Sequence, residues 1–151
     1  MVYFTKTDLI RYTETMNMQF EIKGGDFDQA GKASSKIKNR LKQLDVDPAF
    51  IKRVVVAAYE AELNVVAHAF HGTMTAVFDK DFISITVADS GPGIENIEQA
   101  MQAGFSTASK KVREMGFGAG MGLPNIKKNT DELTIESKVG EGTTLFFKIY
   151  Y

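Results

Sequence analysis

Residues 89–123 read DSGPGIENIEQAMQAGFSTASKKVREMGFGAGMGL, and the rest of the chain is organised around them. Seven of the thirteen glycines fall within these 35 residues, which begin and end in a compact glycine motif. Glycine loses more conformational entropy on folding than any other residue. A chain therefore concentrates it where backbone must approach something closely or take a positive φ. Gly116-Phe117-Gly118-Ala119-Gly120-Met121-Gly122 precedes an apolar helix start at Leu123-Pro124. Successive backbone N–H groups in such a loop, backed by a helix N-terminus, form a cradle for an anion. No GxxxxGK[ST] occurs, so this is not a Walker loop, and the glycine spacing does not fit a dinucleotide fingerprint. A flexible glycine-rich linker is the plain alternative. Lys110, Lys111 and Arg113 are available to neutralise phosphates, with a solvated charge cluster as the plainer reading.

At the front of the stretch, Asp89 closes a strand in which Ile83, Ile85 and Val87 alternate with Ser84 and Thr86. A carboxylate only accepts hydrogen bonds, so at a strand end it suits the exocyclic amine of adenine and repels the carbonyl of guanine. Gly91 and Gly93 then let backbone approach a flat base; a simple strand-to-helix turn accounts for them too. Upstream, Asp47-Pro48 is a strong helix start, with Asp as N-cap and Pro at the first helical position. The spacing predicts a helix to about Phe70 that buries Val55, Val56, Tyr59, Leu63, Val66 and Phe70. Glu60, Asn64, His68 and His71 form a polar stripe opposite. Glu60 and Asn64 are four apart, so their side chains stack on one face. A carboxylate there can deprotonate a hydroxyl or water, and a neutral amide oxygen can ligate Mg²⁺. The two histidines read as residues with a hydrogen-bonding or packing role.

The remaining elements are short. Met18, Phe20 and Ile22 alternate as a strand, and Asp26 or Asp28 is placed to cap a helix with Ala30, Ala33, Ile37, Leu41 and Leu44 on its apolar face. Strands follow at Met74–Phe78 and Phe82–Ala88, a short helix at 94–102, a helix from Leu123 to about Thr130, and a hairpin of Leu133–Ser137 with Thr143–Tyr150. Runs of this order predict an α+β two-layer sandwich, a mixed and mostly antiparallel sheet with helices on one face. Residues 1–17 read as an N-terminal extension and 18–151 as one domain. The net charge of −1 favours neither nucleic acid nor an anionic membrane, and no apolar run is long enough to cross a bilayer. With no cysteine, disulfides and thiolate metal sites are excluded. A soluble cytoplasmic protein is the expectation.

Taken in order, ExxxN at Glu60–Asn64, DxGxG at Asp89–Gly93, the glycine lid at Gly116–Gly122 and a late Gly142-Thr143 resemble the GHKL (Bergerat) ATP-binding fold of gyrase-type ATPases, heat-shock-90 chaperones, histidine kinases and MutL. Within that superfamily, EAxxNxxxH at Glu60–His68 and the run DSGPGI…AMQAGFSTA…GFGAGMGLPNIKK resemble the small bacterial serine-protein kinases that act as anti-sigma factors or stressosome switch kinases. Ser109–Met115 is longer than expected of a minimal switch kinase.

The resemblance implies ATP and Mg²⁺ as cofactors, Glu60 as general base, Asn64 as Mg²⁺ ligand, Asp89 as adenine contact and Gly116, Gly118, Gly120 and Gly122 as phosphate cover. It also brings Gly91, Gly93, Ile94, Ser106, Thr107, Met121, Leu123 and Thr143 to the nucleotide pocket. The implied function is transfer of the ATP γ-phosphoryl group to a serine or threonine of a protein partner of the anti-sigma-factor-antagonist type. The alternative is an ATP-dependent module that sequesters a sigma factor without chemistry. Homodimers are common among the anti-sigma relatives, and a homodimer is the corresponding expectation here.

Overall fold

In the computed structural model, which describes residues 16–106, 108–114 and 121–151, sequence alternation sets the sheet. In β1 (Met16–Lys23), Asn17, Gln19, Glu21 and Lys23 are exposed while Met16, Met18, Phe20 and Ile22 turn inward. The other strands are β2 (His71–Phe78), β3 (Phe82–Ser90), β4 (Glu132–Lys138) and β5 (Gly142–Tyr150). They run in the order β1-β2-β3-β5-β4, and every pairing is antiparallel rather than mixed. Each strand starts or ends one to three residues beyond the span its apolar alternation marks, because backbone pairing continues past the last apolar side chain.

The register stacks inward side chains into rows. Met18, Ala76, Ile85, Phe147 and Leu133 form one row, and Phe20, Met74, Val87, Leu145 and Ile135 form the next. The following row begins with Ile22, Gly72 and Asp89, and the paired Thr143 and Ser137 continue the same face. Apolar burial therefore gives way to polar groups at one end of the sheet, and the site lies there.

Helix α1 (Lys32–Gln43) and helix α2 (Pro48–His68) cover that face, and α2 touches β1, β2, β3 and β5 directly. Asp47 caps α2 by accepting the Ala49 N–H at 2.8 Å, with Pro48 in the first turn. The helix ends at His68, two residues before the expected stop. Its buried face is Phe50, Ile51, Val54, Ala57, Ala58, Ala61, Val65 and Val66. Of the expected stripe only Val66 is buried; Tyr59 is 37% and Phe70 74% exposed. The three alanines explain the difference. A helix lying close on a sheet needs small side chains beneath it, and weighting by large apolar residues rotates the inferred face.

The cap of α1 is also different from expectation. Phe27–Gln29 forms a 3₁₀ turn, so neither Asp26 nor Asp28 caps the helix; Gly31 sits at the N-cap in the left-handed region (φ 95°) with no side-chain cap of its own. Glu62 of α2 supplies the acceptor. Its carboxylate, 1% exposed, takes the Gly31 N–H at 2.8 Å and the Ala33 N–H at 3.2 Å. Burial pushes the Glu62 carboxyl pKa up, and these backbone donors partly offset the rise. The short helices α3 (Ile97–Ala100) and α4 (Lys110–Glu114) follow, then α5 (Gly122–Asn129), which packs on α2. Met16 and Asn17 belong to β1, and the remainder of the expected extension lies outside the described residues. Among the described residues no helix is long and apolar enough to cross a membrane.

Candidate functional site

β3 runs one row beyond the apolar core and ends by presenting Asp89, whose Oδ1 accepts the Thr143 N–H at 3.1 Å. Half-burial pushes the Asp89 carboxyl pKa up, while the Thr143 N–H and the charge of His71 pull it down. Gly142 makes this contact possible: a Cβ there would overlap the Asp89 carbonyl oxygen. The loop after β3 is tied to the β4–β5 turn. The Gly91 N–H donates to the Glu141 carbonyl at 3.1 Å, and the Gly140 N–H to the Pro92 carbonyl at 2.8 Å. The Ile94 N–H donates to Ser137 Oγ at 2.8 Å. Two glycine motifs separate in sequence thus form one floor.

The facing wall is α2. Glu60, Asn64 and His68 look into the same cavity, which has a volume of about 960 Å³ and is large enough for a nucleotide. Burial holds the His68 pKa below the usual imidazole value, so a neutral ring lines the wall. His71 does not continue the stripe, because it opens β2, is exposed and pairs with Ser90. The start of α5 closes over Glu60 and Asn64. A Cβ added at Gly122 would lie 3.1 Å from Asn64 Oδ1 and 3.3 Å from Glu60 Oε2, a tight contact that shows how closely the backbone approaches both side chains. Asn125, one turn along α5, donates from Nδ2 to Glu60 Oε1 at 3.2 Å.

Of the residues selected from sequence, Glu60, Asn64, Asp89, Gly93, Ile94, Ser106, Met121, Gly122, Leu123 and Thr143 line this one cavity. Gly91 stands behind it, 3.2 Å from Asp89 Oδ1 when given a Cβ. Thr107, Gly116, Gly118 and Gly120 lie outside the described residues. Lys110 is exposed and pairs loosely with Glu114 at 3.9 Å.

Sequence reasoning missed Asn125 and Ser137. Both had a signal: Asn125 falls three after Gly122 on one helical face, and Ser137 continues the inward period of Leu133 and Ile135 with a polar group. Among the described residues no cluster of three or more His, Asp and Glu is placed to hold a metal. Mg²⁺ does not require one, since it keeps several waters and shares its shell with substrate phosphates. Asn64 Oδ1, a neutral hard oxygen donor facing the open cavity, fits such an ion.

The family model described as histidine kinase-like ATPase domain matches residues 25–149. The chain belongs to that family. Among relatives, it is 33% identical over 139 residues to the anti-sigma F factor of Thermoanaerobacter sp. (strain X514), covering 89% of this chain and 92% of the relative. It is 36% identical over 106 residues to the anti-sigma F factor of Caldanaerobacter subterraneus subsp. tengcongensis, covering 67% and 71%. It is 32% identical over 112 residues to the serine/threonine-protein kinase RsbT of Bacillus subtilis (strain 168), covering 72% and 78%. The antiparallel sheet covered by α1, α2 and α5 agrees with the fold of this family.

Proposed function

We propose that this histidine kinase-like ATPase domain is a serine/threonine protein kinase and regulatory binding protein of the anti-sigma type. It transfers the γ-phosphoryl group of ATP to a hydroxyl of a protein partner of the antagonist kind. One observation carries the reading. Glu60 and Asn64 on α2 and the acceptor floor of Asp89 and Thr143 share one cavity, with the Gly122 backbone against both α2 side chains. The floor suits adenine, and the α2 pair then lies where the triphosphate would extend. Asn64 Oδ1 would help hold Mg²⁺, which would supply charge neutralisation at the phosphates.

Glu60 aligns the partner's hydroxyl and accepts its proton. The hydroxyl oxygen bonds to the γ-phosphorus as the β–γ bridging P–O bond breaks and its electron pair leaves with ADP. The phosphate-covering role of Gly116, Gly118 and Gly120 rests on the resemblance. The names of two relatives as anti-sigma F factors favour a second reading, in which the nucleotide-bound protein sequesters a sigma factor without chemistry.

One experiment separates the two. The protein captures its partner in Mg-ATP carrying a γ-phosphate radiolabel, and the label is mapped on the partner. The kinase reading expects a labelled serine or threonine, with Glu60→Gln binding Mg-ATP normally and transferring no label. Capture of the partner by wild-type protein without label selects sequestration, and native-rate transfer by Glu60→Gln removes Glu60 as base.

A further inference from the structure

Ser137 is not a wall of the cavity; it stands behind Thr143, on the neighbouring strand. We propose that it nevertheless sets which purine the cavity accepts, by making Thr143 a pure hydrogen-bond acceptor. The inference rests on the nucleotide-binding reading of the same site and goes beyond it in assigning a specificity determinant outside the pocket.

The proton order follows from three contacts. Ser137 Oγ receives the Ile94 N–H at 2.8 Å, lies 3.1 Å from the Gly142 carbonyl oxygen and lies 2.8 Å from Thr143 Oγ1. A hydroxyl has one proton and two lone pairs. The amide can only donate and the carbonyl can only accept. The one arrangement that satisfies all three sends the Ser137 proton to Gly142, one lone pair to Ile94 and the other lone pair to the proton of Thr143. The reverse order would leave the Gly142 carbonyl without this donor and a Ser137 lone pair empty in a half-buried site.

With its proton turned back to Ser137, Thr143 offers the cavity lone pairs alone. Beside it, Asp89 is acceptor-only and already takes the Thr143 N–H. Asp89 Oδ2 and Thr143 Oγ1 therefore present only acceptors to the cavity. Adenine's exocyclic amine supplies donors to such a floor, whereas the 6-carbonyl of hypoxanthine brings lone pairs against lone pairs. A water between Thr143 and the base preserves the logic. It donates one proton to Thr143 and has the other for N1, which accepts in adenine and is protonated in hypoxanthine.

The test uses the full chain and calorimetric Kd values for ATP and ITP in Mg²⁺. Wild type prefers ATP. Ser137→Ala frees the Thr143 proton to meet the hypoxanthine carbonyl and narrows the ATP/ITP preference about tenfold, the factor carried by one exchanged hydrogen bond. Ser137→Thr restores it, and in a Thr143→Val background Ser137→Ala leaves the ratio unchanged. If the alanine variant does not fold by circular dichroism, Ser137→Cys, a weak acceptor of similar shape, carries the same expectation. Equal loss for both nucleotides, or narrowing that persists without the Thr143 hydroxyl, overturns the role of Ser137 alone. Wild-type protein that binds neither nucleotide overturns the nucleotide reading, and this inference with it.

Discussion

Asp89→Asn is isosteric, and the structure dictates which way the new amide points. The Thr143 N–H lies 3.1 Å from Oδ1 and needs an acceptor, so the amide oxygen takes that position and the NH₂ turns to the cavity. There it faces the exocyclic amine of adenine, donor against donor. The variant loses a hydrogen bond to a charged acceptor and gains an unsatisfied donor, a cost of about 1.5–3 kcal/mol, or roughly 10- to 150-fold in Kd for ATP. Calorimetry reads this directly, and the same turned amide should improve ITP, whose carbonyl accepts from it. Stability provides an independent check. Burial raises the Asp89 pKa above its ordinary 3.8, so the folded state binds this proton more tightly than the unfolded chain. The group's contribution therefore falls as pH rises from about 3.8 through the folded value, and above that the ionised carboxylate is a net cost. Asp89→Asn removes that slope. A variant that binds ATP with native affinity, or weakens ATP and ITP alike, would refute the assignment of Asp89 to the base.

Two other substitutions test the frame, one at the floor and one at the start of α1. Gly142→Ala drives a Cβ into the Asp89 carbonyl, so the start of β5 must shift; the expected result is a loss of about 1–3 kcal/mol in denaturant melts, with weakened ATP binding measured under native conditions. Glu62→Gln exchanges a buried acceptor pair for a single acceptor and an unwanted donor under the Gly31 and Ala33 N–H groups. It should cost about 1–3 kcal/mol, read as a drop of several degrees in Tm by scanning calorimetry, and an unchanged Tm would show that the cap contributes nothing.

The sheet was legible because its inner face alternates cleanly: Met18-Phe20-Ile22, Ile83-Ile85-Val87 and Leu145-Phe147-Ile149 all point to one core. Asp47-Pro48 marked its helix start for the same local reason. What escaped depends on distance. The cap of α1 comes from a residue about thirty positions away, and no pattern near Gly31 announces it. The rotation of α2 differs from the expected one because Ala57, Ala58 and Ala61 carry little hydrophobic weight yet sit at zero exposure. In the site, Glu60 and Asn64 were visible as a polar pair four residues apart on a helix, and Asp89 as a carboxylate at a strand end beside a glycine motif. Asn125 and Ser137 carried only a positional signal, since each acts on another side chain rather than on the cavity, and the pairing itself exists only once the strands and helices have met.

Glu62 connects these two outcomes. At about 100° per residue, Glu60 and Asn64 lie only about 40° apart on α2, while Glu62 between them is rotated about 200° from Glu60. Anchoring the Glu62 carboxylate on the N–H groups at the start of α1 therefore turns Glu60 and Asn64 away from α1, toward the cavity and the start of α5. Two carboxylates two residues apart have opposite duties for that reason. The buried one fixes the rotation of the helix, and the rotation decides that the other meets Asn125 and Gly122. The burial that makes Glu62 costly as a charge also makes it a precise orienting group. It is held by three backbone contacts, and any slip of α2 would strip them from a carboxylate that is almost wholly buried.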